Sequence, residues 1–166
     1  MSVAPPLRQI VQAQIEQLSQ RPDLLPVIAG WVYNEWWRQV EGTSVDTVTD
    51  LLRANLVANR IPMTLVASVD HAPVGTATLL AHDAGTEEWP QLSPWLAAVY
   101  VTPECRRRGV GASLVNAIVA HAASLGVSVL YLWTVERVQF YADLGWNMIE
   151  TRGIKRLMSR STIAPP

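Results

Sequence analysis

The stretch "LAAVYVTPECRRRGVGASLV" (residues 96–115) decides the fold, because it joins the end of a strand to the start of a helix. Its apolar, β-branched beginning is typical of a buried strand that ends at Val101. Gly109 and Gly111 follow in a turn, after which apolar residues recur at helical spacing. The sequence therefore predicts a strand, a glycine-containing turn and a helix over 109–125.

This turn is suited to binding a phosphate group. The first amides of a helix have no intrahelical partners and lie at the positive end of its dipole. Gly109 and Gly111 have no Cβ to obstruct an approaching oxygen. Two well-known phosphate loops are excluded, because the turn lacks Gly-Lys-Ser/Thr and has Leu114 where the dinucleotide fingerprint requires a glycine. The turn also contains three consecutive arginines, Arg106, Arg107 and Arg108.

The composition of the chain limits which binding partners these arginines indicate. The chain has 166 residues, of which 49% are apolar and 16% charged, and its net charge is -1. A dedicated nucleic-acid-binding protein has a clear basic excess, so we expect no nucleic-acid partner. One cysteine excludes an intrachain disulfide, and no signal-like or membrane-spanning segment is present. We expect one domain over 1–166 in a soluble cytoplasmic protein without a membrane partner.

The rest of the chain alternates strand and helix patterns. Their order is β-α-α-β-β-β-α-β-α-β-β, which predicts an α/β (α+β) fold with a mixed sheet and helices on its faces. The predicted helices cover 22–38, 109–125 and 136–144, with another that begins at Thr43 or Ser44. The predicted strands are a weak one within 10–18, a hairpin turning at 70–73, and runs at 95–101, 127–134, 146–150 and 154–159.

The motif Arg106-x-x-Gly109-x-Gly111-Ala112 directly follows the strand residues Val99 to Val101. With the later segments "LYLWT" and "FYADLGW", it resembles the GNAT superfamily of acetyl-CoA-dependent N-acetyltransferases over roughly residues 62–150. The resemblance implies a mixed central sheet whose splayed central strands form the cofactor cleft. It also implies acetyl-CoA as co-substrate and no metal.

The resemblance assigns residues to the cofactor. The backbone of Val99, Tyr100 and Val101 is expected to pair with the pantetheine arm, and the amides from Arg107 to Ala112 to hold the pyrophosphate. Tyr141 occupies the position of a tyrosine that commonly protonates the departing thiolate. Thr134 stands where many relatives have a cofactor-contacting asparagine.

The general base is less evident. Ala97 and Ala98 stand where many relatives have a strand glutamate, so the candidate carboxylates are elsewhere. We assign Glu88 as the base and Glu87 to a cationic acceptor. The alternatives to Glu88 are Asp83 in the same loop and Glu35 on the first helix.

Aromatic residues of the first helix supply the predicted acceptor pocket. Trp36 continues the apolar stripe of that helix and is expected in the core, whereas Tyr33 and Trp37 are expected to contact the acceptor. The implied activity is acetyl transfer to a primary amine of a small molecule or peptide by direct attack in a ternary complex. The alternative is a catalytically silent acyl-CoA sensor. Because dimers are common in the family, a homodimer is also considered.

Overall fold

The computed structural model describes residues 9–163. Its strands are β1 (Gln14–Gln17), β2 (Met63–Val69), β3 (Ala72–Leu80), β4 (Trp95–Val101), β5 (Val129–Thr134), β6 (Asn147–Arg152) and β7 (Lys155–Ser161). Its α-helices are α1 (Leu25–Val32), α2 (Val45–Arg53), α3 (Val110–Ser124) and α4 (Val138–Asp143). The predicted order of strands and helices is confirmed.

These strands form one mixed sheet in the order β1-β2-β3-β4-β5-β7-β6. Every neighbouring pair is antiparallel except β4 and β5, which are parallel. A parallel pair needs a crossover connection, and α3 provides it. The turn that precedes α3 therefore lies at the carboxyl end of β4, beside the only parallel pair described within residues 9–163.

Local sequence explains the ends of several elements. Ser44 caps α2, because its hydroxyl accepts a hydrogen bond from the Thr47 amide at 3.2 Å while the Thr47 hydroxyl accepts from the Ser44 amide at 3.1 Å. The β2–β3 hairpin turns through Asp70 and His71, whose φ angles are +49° and +65°. Two positive φ angles match the twist of the flanking strands. Both predicted features are confirmed.

The first helix differs from its prediction. It begins with a 3₁₀ turn at Pro22–Leu24, continues as α1 and ends in a π-helical turn at Tyr33–Trp37. In that turn the Arg38 amide donates to the Tyr33 carbonyl, five residues earlier, at 2.8 Å. The extra residue rotates the side chains that follow, so Trp36 is 43% exposed and Trp37 packs against the core. The expectation that Trp36 lies in the core is wrong.

Three groups of buried side chains hold the layers together. α3 packs over β2, β3 and β4 on one face of the sheet, in the largest cluster. α1 and α2 form a second cluster with Val66 on the other face. The third cluster consists of Trp89, Trp95 and Leu157 and lies beneath the β3–β4 loop, residues 81–94. No helix within residues 9–163 has the length and apolar character that a membrane crossing requires.

Candidate functional site

The parallel strands β4 and β5 separate soon after they meet. Their register within residues 9–163 contains a single pair, Trp95 with Tyr131, and the Tyr131 amide donates to the Pro94 carbonyl at 3.1 Å. Beyond that pair β4 bonds only to β3 and β5 only to β7 in the described part of the chain. The predicted splay of the central strands is confirmed, and the gap between them is bounded by backbone groups.

A β-bulge in β4 lies beside this gap. Thr78 pairs with Ala97 and Thr76 pairs with Tyr100, so Ala98 and Val99 together oppose one residue of β3. Ala98 has a left-handed φ of +51°, which an alanine adopts only at an energetic cost. The bulge changes which backbone groups of β4 face β3.

After the bulge, successive residues of β4 direct their backbone groups alternately towards β3 and into the gap. The Thr102 amide donates to the Val74 carbonyl at 2.9 Å, so that residue faces β3. Alternate residues of a strand direct their backbone groups to opposite sides, so those of Val101 and Val99 face β5. The side chain of Tyr100 points to the α1 face, where its ring lies 5.3 Å from that of Trp31. Of the three strand residues predicted to contact the cofactor, Val99 and Val101 therefore direct their backbone groups into the gap, whereas the backbone of Tyr100 faces β3.

The turn before α3 leaves the start of this helix open. Arg107 and Gly109 have left-handed φ angles of +57° and +86°. Gly109 is the N-cap and has no side-chain cap within the described residues, and its carbonyl accepts from the Ser113 amide at 3.0 Å. The amides of Gly111 and Ala112 precede this first intrahelical bond, so they are available to an anion.

Gly111 lies where two elements approach each other. A Cβ at this position would lie 3.5 Å from the Phe140 ring of α4 and 3.7 Å from the side chain of Val101. These are ordinary contact distances, so Gly111 lies beside both groups with room for a Cβ. The open helix terminus is thus adjacent to α4 and to the end of the gap. The residues present fit a group with a pyrophosphate at the helix and an extended arm between the strands.

The three arginines of the turn have different surroundings. The Nε of Arg106 donates to the Val101 carbonyl at 2.9 Å, and its guanidinium lies 5.7 Å from the Tyr100 ring centroid. The Nε of Arg108 donates to the Gln9 carbonyl at 3.3 Å. Arg107 is exposed, and its side chain makes no hydrogen bond within residues 9–163. Of the three, Arg107 therefore has the guanidinium with the fewest contacts to other residues of the described chain.

Tyr141 of α4 packs between two aromatic rings. Its ring centroid lies 5.0 Å from that of Phe140 and 6.0 Å from that of Trp146. Burial raises the pKa of Tyr141 to about 12, and the positive charge of Arg137 offsets this slightly. The phenol therefore keeps its proton at neutral pH, and Phe140 connects it to the start of α3 at Gly111.

Thr134, the last residue of β5, has a role within the chain. Its hydroxyl accepts a hydrogen bond from the Arg137 amide at 3.1 Å, ahead of α4. Thr134 is buried, and its backbone lies in register with Arg156 of β7. The side chain thus orients the helix that carries Tyr141.

The carboxylates of the β3–β4 loop differ in their partners. The Glu88 carboxylate lies 3.3 Å from the Lys155 ammonium of β7. The Glu87 carboxylate accepts from the Gly85 amide at 3.3 Å, and backbone hydrogen bonds lower its pKa. Asp83 is half-buried, and this burial raises its pKa to about 6, against smaller lowering effects of the Ala84 amide and the Trp133 indole.

A surface depression of about 310 Å³ lies at this loop. Its lining residues are His82, Asp83, Thr86, Glu87, Trp89 and Pro90. It joins two acidic side chains to the buried tryptophan of the third cluster. The sequence placed Asp83, Glu87 and Glu88 in one loop. Contacts with distant strands distinguish them, because Glu88 pairs with Lys155 of β7, whereas Asp83 and Glu87 form no ion pair within residues 9–163.

The aromatic residues predicted for the acceptor lie on the face opposite α3. Tyr33 and Trp37 are partly buried against the α1–α2 cluster, which Ala98 of the bulge also contacts. Trp31 lies there too and stacks on Tyr100, a contact that the helical stripe alone did not indicate. Glu35, the alternative base on this segment, is exposed.

The chain matches the model of a known protein family. Residues 31–146 match the family model described as acetyltransferase (GNAT) family. Among curated proteins none matches the chain.

Solved structures share the fold at low identity. An aminoglycoside 6'-N-acetyltransferase complexed with coenzyme A is similar at TM-score 0.71 and 16% identity, over 92% of this chain and 99% of that chain. PaiA N-acetyltransferase from Thermoplasma acidophilum, in complex with coenzyme A, is similar at TM-score 0.64 and 18% identity, over 91% and 99%. Ard1 from Thermoplasma volcanium is similar at TM-score 0.64 and 17% identity, over 93% and 100%. The family model spans most of the sequence, and the sheet with its separated central strands agrees with it, so the chain belongs to the GNAT family of acetyltransferases.

Proposed function

We propose that this acetyltransferase moves an acetyl group from acetyl-CoA to a primary amine of a small molecule or peptide, by direct attack within a ternary complex. The observation that carries the proposal is the gap between β4 and β5, which ends at the uncapped start of α3. Two structural neighbours are named as complexes with coenzyme A, which supports the same ligand here.

Backbone groups hold the co-substrate in this proposal. The amides from Arg107 to Ala112 bind the pyrophosphate, because left-handed residues at Arg107 and Gly109 make successive amides converge. The exposed guanidinium of Arg107 adds a charged contact. The backbone of Val99 and Val101 pairs with the pantetheine arm in place of a neighbouring strand.

When bound, acetyl-CoA supplies a thioester carbonyl that an amine can attack. A backbone amide of the bulged strand stabilises the negative charge that develops on the carbonyl oxygen. Tyr141 donates a hydrogen bond to the departing sulfur, which is consistent with a phenol that burial keeps protonated. The acceptor approaches from the face that carries Tyr33 and Trp37, opposite α3.

The alternative, a catalytically silent acyl-CoA sensor, has one observation in its favour. β4 has Ala97 and Ala98 where a base is expected, and Glu88 is paired with Lys155. Both functions require acetyl-CoA binding, so only release of free CoA in the presence of amines distinguishes them. Turnover on any member of a panel of small amines and amino-terminal peptides supports the enzyme, whereas binding without turnover supports the sensor.

Binding itself is tested by thermal unfolding. A ligand at 100 times its Kd stabilises the native state by about 2.7 kcal/mol, which corresponds to a rise of roughly 5–10 °C in Tm for a chain of this size. Gly111→Glu should abolish this rise, because it places bulk and negative charge at the helix terminus. Gly111→Ala is the matched control, since its Cβ makes only ordinary contact with Phe140. An unchanged rise in Gly111→Glu would move the pyrophosphate to another site.

A further inference from the structure

The chain ahead of β1 crosses the turn that begins α3. We call residues 9–11, which make this crossing, the strap. The Val11 amide donates a hydrogen bond to the Arg108 carbonyl at 3.0 Å, and the Nε of Arg108 donates to the Gln9 carbonyl at 3.3 Å. Two hydrogen bonds therefore join the strap to one residue of the turn.

The strap is anchored to the sheet independently of the turn. Val11 and Ala13 are partly buried against the largest core cluster, and β1 begins at the residue after Ala13, where it pairs with β2. Ile10 is 86% exposed, and its Cγ2 lies 3.5 Å from the place that a Cβ on Gly109 would occupy. The strap thus passes directly over the turn, at a position that the core and β2 determine.

The turn itself contains little that fixes its conformation. A left-handed φ, such as the +57° of Arg107, is unfavourable for any residue that has a Cβ. Gly109 has a φ of +86°, but glycine adopts positive and negative φ angles with similar ease. The peptide group between Arg108 and Gly109 can therefore rotate by half a turn at low cost, unless a contact from outside selects one orientation.

The bond from the strap determines where the Gly109 amide points. The peptide that joins Arg108 to Gly109 is trans, so its C=O and N–H groups point in opposite directions. Because the Arg108 carbonyl points at the strap, the Gly109 amide points away from it, and this amide makes no hydrogen bond to any residue in 9–163. The opposite orientation of the peptide would present a carbonyl oxygen on that side, and a carbonyl oxygen cannot donate to a phosphate.

We propose that the strap is a positioning element for the co-substrate, in which the Val11 amide holds the Arg108–Gly109 peptide in the orientation that presents the Gly109 amide to the pyrophosphate of acetyl-CoA. The inference rests on the proposed function and deepens it, because it adds a residue from the other end of the sequence to the pyrophosphate site. Val11 is a positioning residue, since it acts on the turn and not on the co-substrate.

The proposal distinguishes two parts of the co-substrate. In the proposed complex the pyrophosphate depends on the strap, whereas the pantetheine arm lies along β4, which is held by its pairing with β3. Loss of the strap contact should therefore weaken ligands that contain the pyrophosphate and leave a ligand that contains only the arm unaffected. A general disturbance of the fold would weaken both kinds of ligand.

The affinity test uses Val11→Pro, which removes the amide hydrogen and keeps an apolar side chain. We expect the Kd of CoA, measured by isothermal titration calorimetry, to rise about tenfold, which is the effect of one net hydrogen bond. S-acetylpantetheine, which has the arm without the pyrophosphate, should bind wild type and Val11→Pro equally in an NMR titration. An unchanged Kd for CoA, or equal losses for the two ligands, would overturn the proposal.

Two further variants separate the amide from other effects of the substitution. Val11→Ala keeps the amide and removes side-chain packing, so it should retain the CoA affinity of wild type while lowering Tm. Gln12→Pro places the same ring one residue later, where the side chain is exposed and the amide makes no hydrogen bond within residues 9–163. It should also bind CoA like wild type. A loss of CoA affinity in either variant that equals the loss in Val11→Pro would rule out the amide as the cause.

Hydrogen exchange tests the same coupling without a mutation. Two contacts that favour one peptide orientation strengthen each other reciprocally, so exchange of the Val11 amide should slow about tenfold at saturating CoA. S-acetylpantetheine should leave this exchange rate unchanged, because it lacks the pyrophosphate. NMR resolves the rate of this single amide, and an equal rate with and without CoA would refute the coupling.

Failure of this inference and failure of the proposed function give different results. If acetyl-CoA does not raise the Tm of wild type, the pyrophosphate site itself is wrong and both proposals fall. If acetyl-CoA raises the Tm of wild type and Val11→Pro binds CoA equally well, the turn holds its own orientation. The proposed function would then stand, and the strap would be a packing segment only.

Discussion

At the scale of single residues, the phenol of Tyr141 shows how burial limits a proton donor. Its pKa of about 12 lies above that of a thiol, whose reference value is about 8.5. Complete proton transfer from the phenol to the departing thiolate is therefore unfavourable by more than three pKa units. A hydrogen bond that lowers the charge on sulfur in the transition state is the more favourable contribution.

This predicts a moderate effect of Tyr141→Phe. The ring contacts with Phe140 and Trp146 are retained, so folding and acetyl-CoA binding should be unchanged. We expect kcat to fall by about tenfold, which corresponds to one lost hydrogen bond of about 1.4 kcal/mol. Steady-state kinetics measures kcat, and the Tm rise with acetyl-CoA measures binding. An unaltered kcat would remove Tyr141 from the reaction.

The local conformation of single residues follows from sequence where a glycine is required. Gly109 adopts a left-handed conformation at the start of α3, where the sequence placed the glycine-containing turn. Side-chain contacts depended on residues far away in sequence. Arg108 bonds to Gln9 and Glu88 pairs with Lys155, and no local pattern indicates either contact.

At the scale of elements, the π-helical turn after α1 decides which tryptophan packs against the core. A regular helix that buries Val32 would bury Trp36 four residues later. The π-turn adds one residue to this interval, so Trp37, which is partly buried, packs against the α1–α2 cluster instead of Trp36. Helical periodicity read from the sequence assumes a constant 3.6 residues per turn, and one irregular turn is enough to change its result.

The two tryptophans make a matched pair for mutation. Trp37→Ala should lower the free energy of unfolding by about 2–3 kcal/mol, because it removes side-chain packing from the α1–α2 cluster. Trp36→Ala should lower it by less than about 1 kcal/mol, because 43% of this residue is exposed. Urea unfolding followed by circular dichroism measures both values. The reverse order would indicate that the helix stays regular in solution.

Elements whose ends are marked by neighbouring residues in the sequence were predicted well. The cap of α2 and the short turn of the β2–β3 hairpin each depend only on residues that are close together in sequence, and both form as expected. The bulge in β4 was not predicted, because Ala98 is an ordinary strand residue by composition. Its left-handed φ depends on the pairing of β4 with β3 and on the gap beyond it.

At the scale of the whole molecule, the fold class follows from the order of elements, but the strand order does not. The alternation of strands and helices predicted a mixed sheet, and the resemblance to the GNAT superfamily implied that its central strands splay. The insertion of β7 between β5 and β6 arises from long-range pairing that periodicity cannot reveal. The contact of the β3–β4 loop with the sheet depends on this order, because β7 supplies Lys155, whose ammonium donates to the Gly85 carbonyl.

The seven-stranded sheet has a discontinuity at its centre. β1 to β4 bond to one another, as do β5 to β7, and within residues 9–163 a single register pair joins the two groups. α3 packs mainly against β2, β3 and β4 and so belongs with the first group. Side chains such as Leu130 and Leu132 of β5 connect the second group to the same core.

The molecule should therefore contain two cooperative unfolding units in the absence of ligand. Native-state hydrogen exchange measured residue by residue should show amides of β5 and β7 opening together, at a lower free energy than those of β2 and β3. Exchange of all strands in one step without acetyl-CoA would contradict this expectation. Gly111→Glu provides the control that should not respond to the ligand.

Acetyl-CoA should merge these two units into one. In the proposed complex, an arm that bonds to the backbone of β4 and packs against β5 would replace the interstrand contacts missing from the gap, so opening of the second unit would require release of the ligand. In the cell, the concentration of acetyl-CoA would then set how long the carboxyl-terminal strands stay closed to proteases. The same gap that admits the co-substrate would thus make the lifetime of the protein depend on its supply.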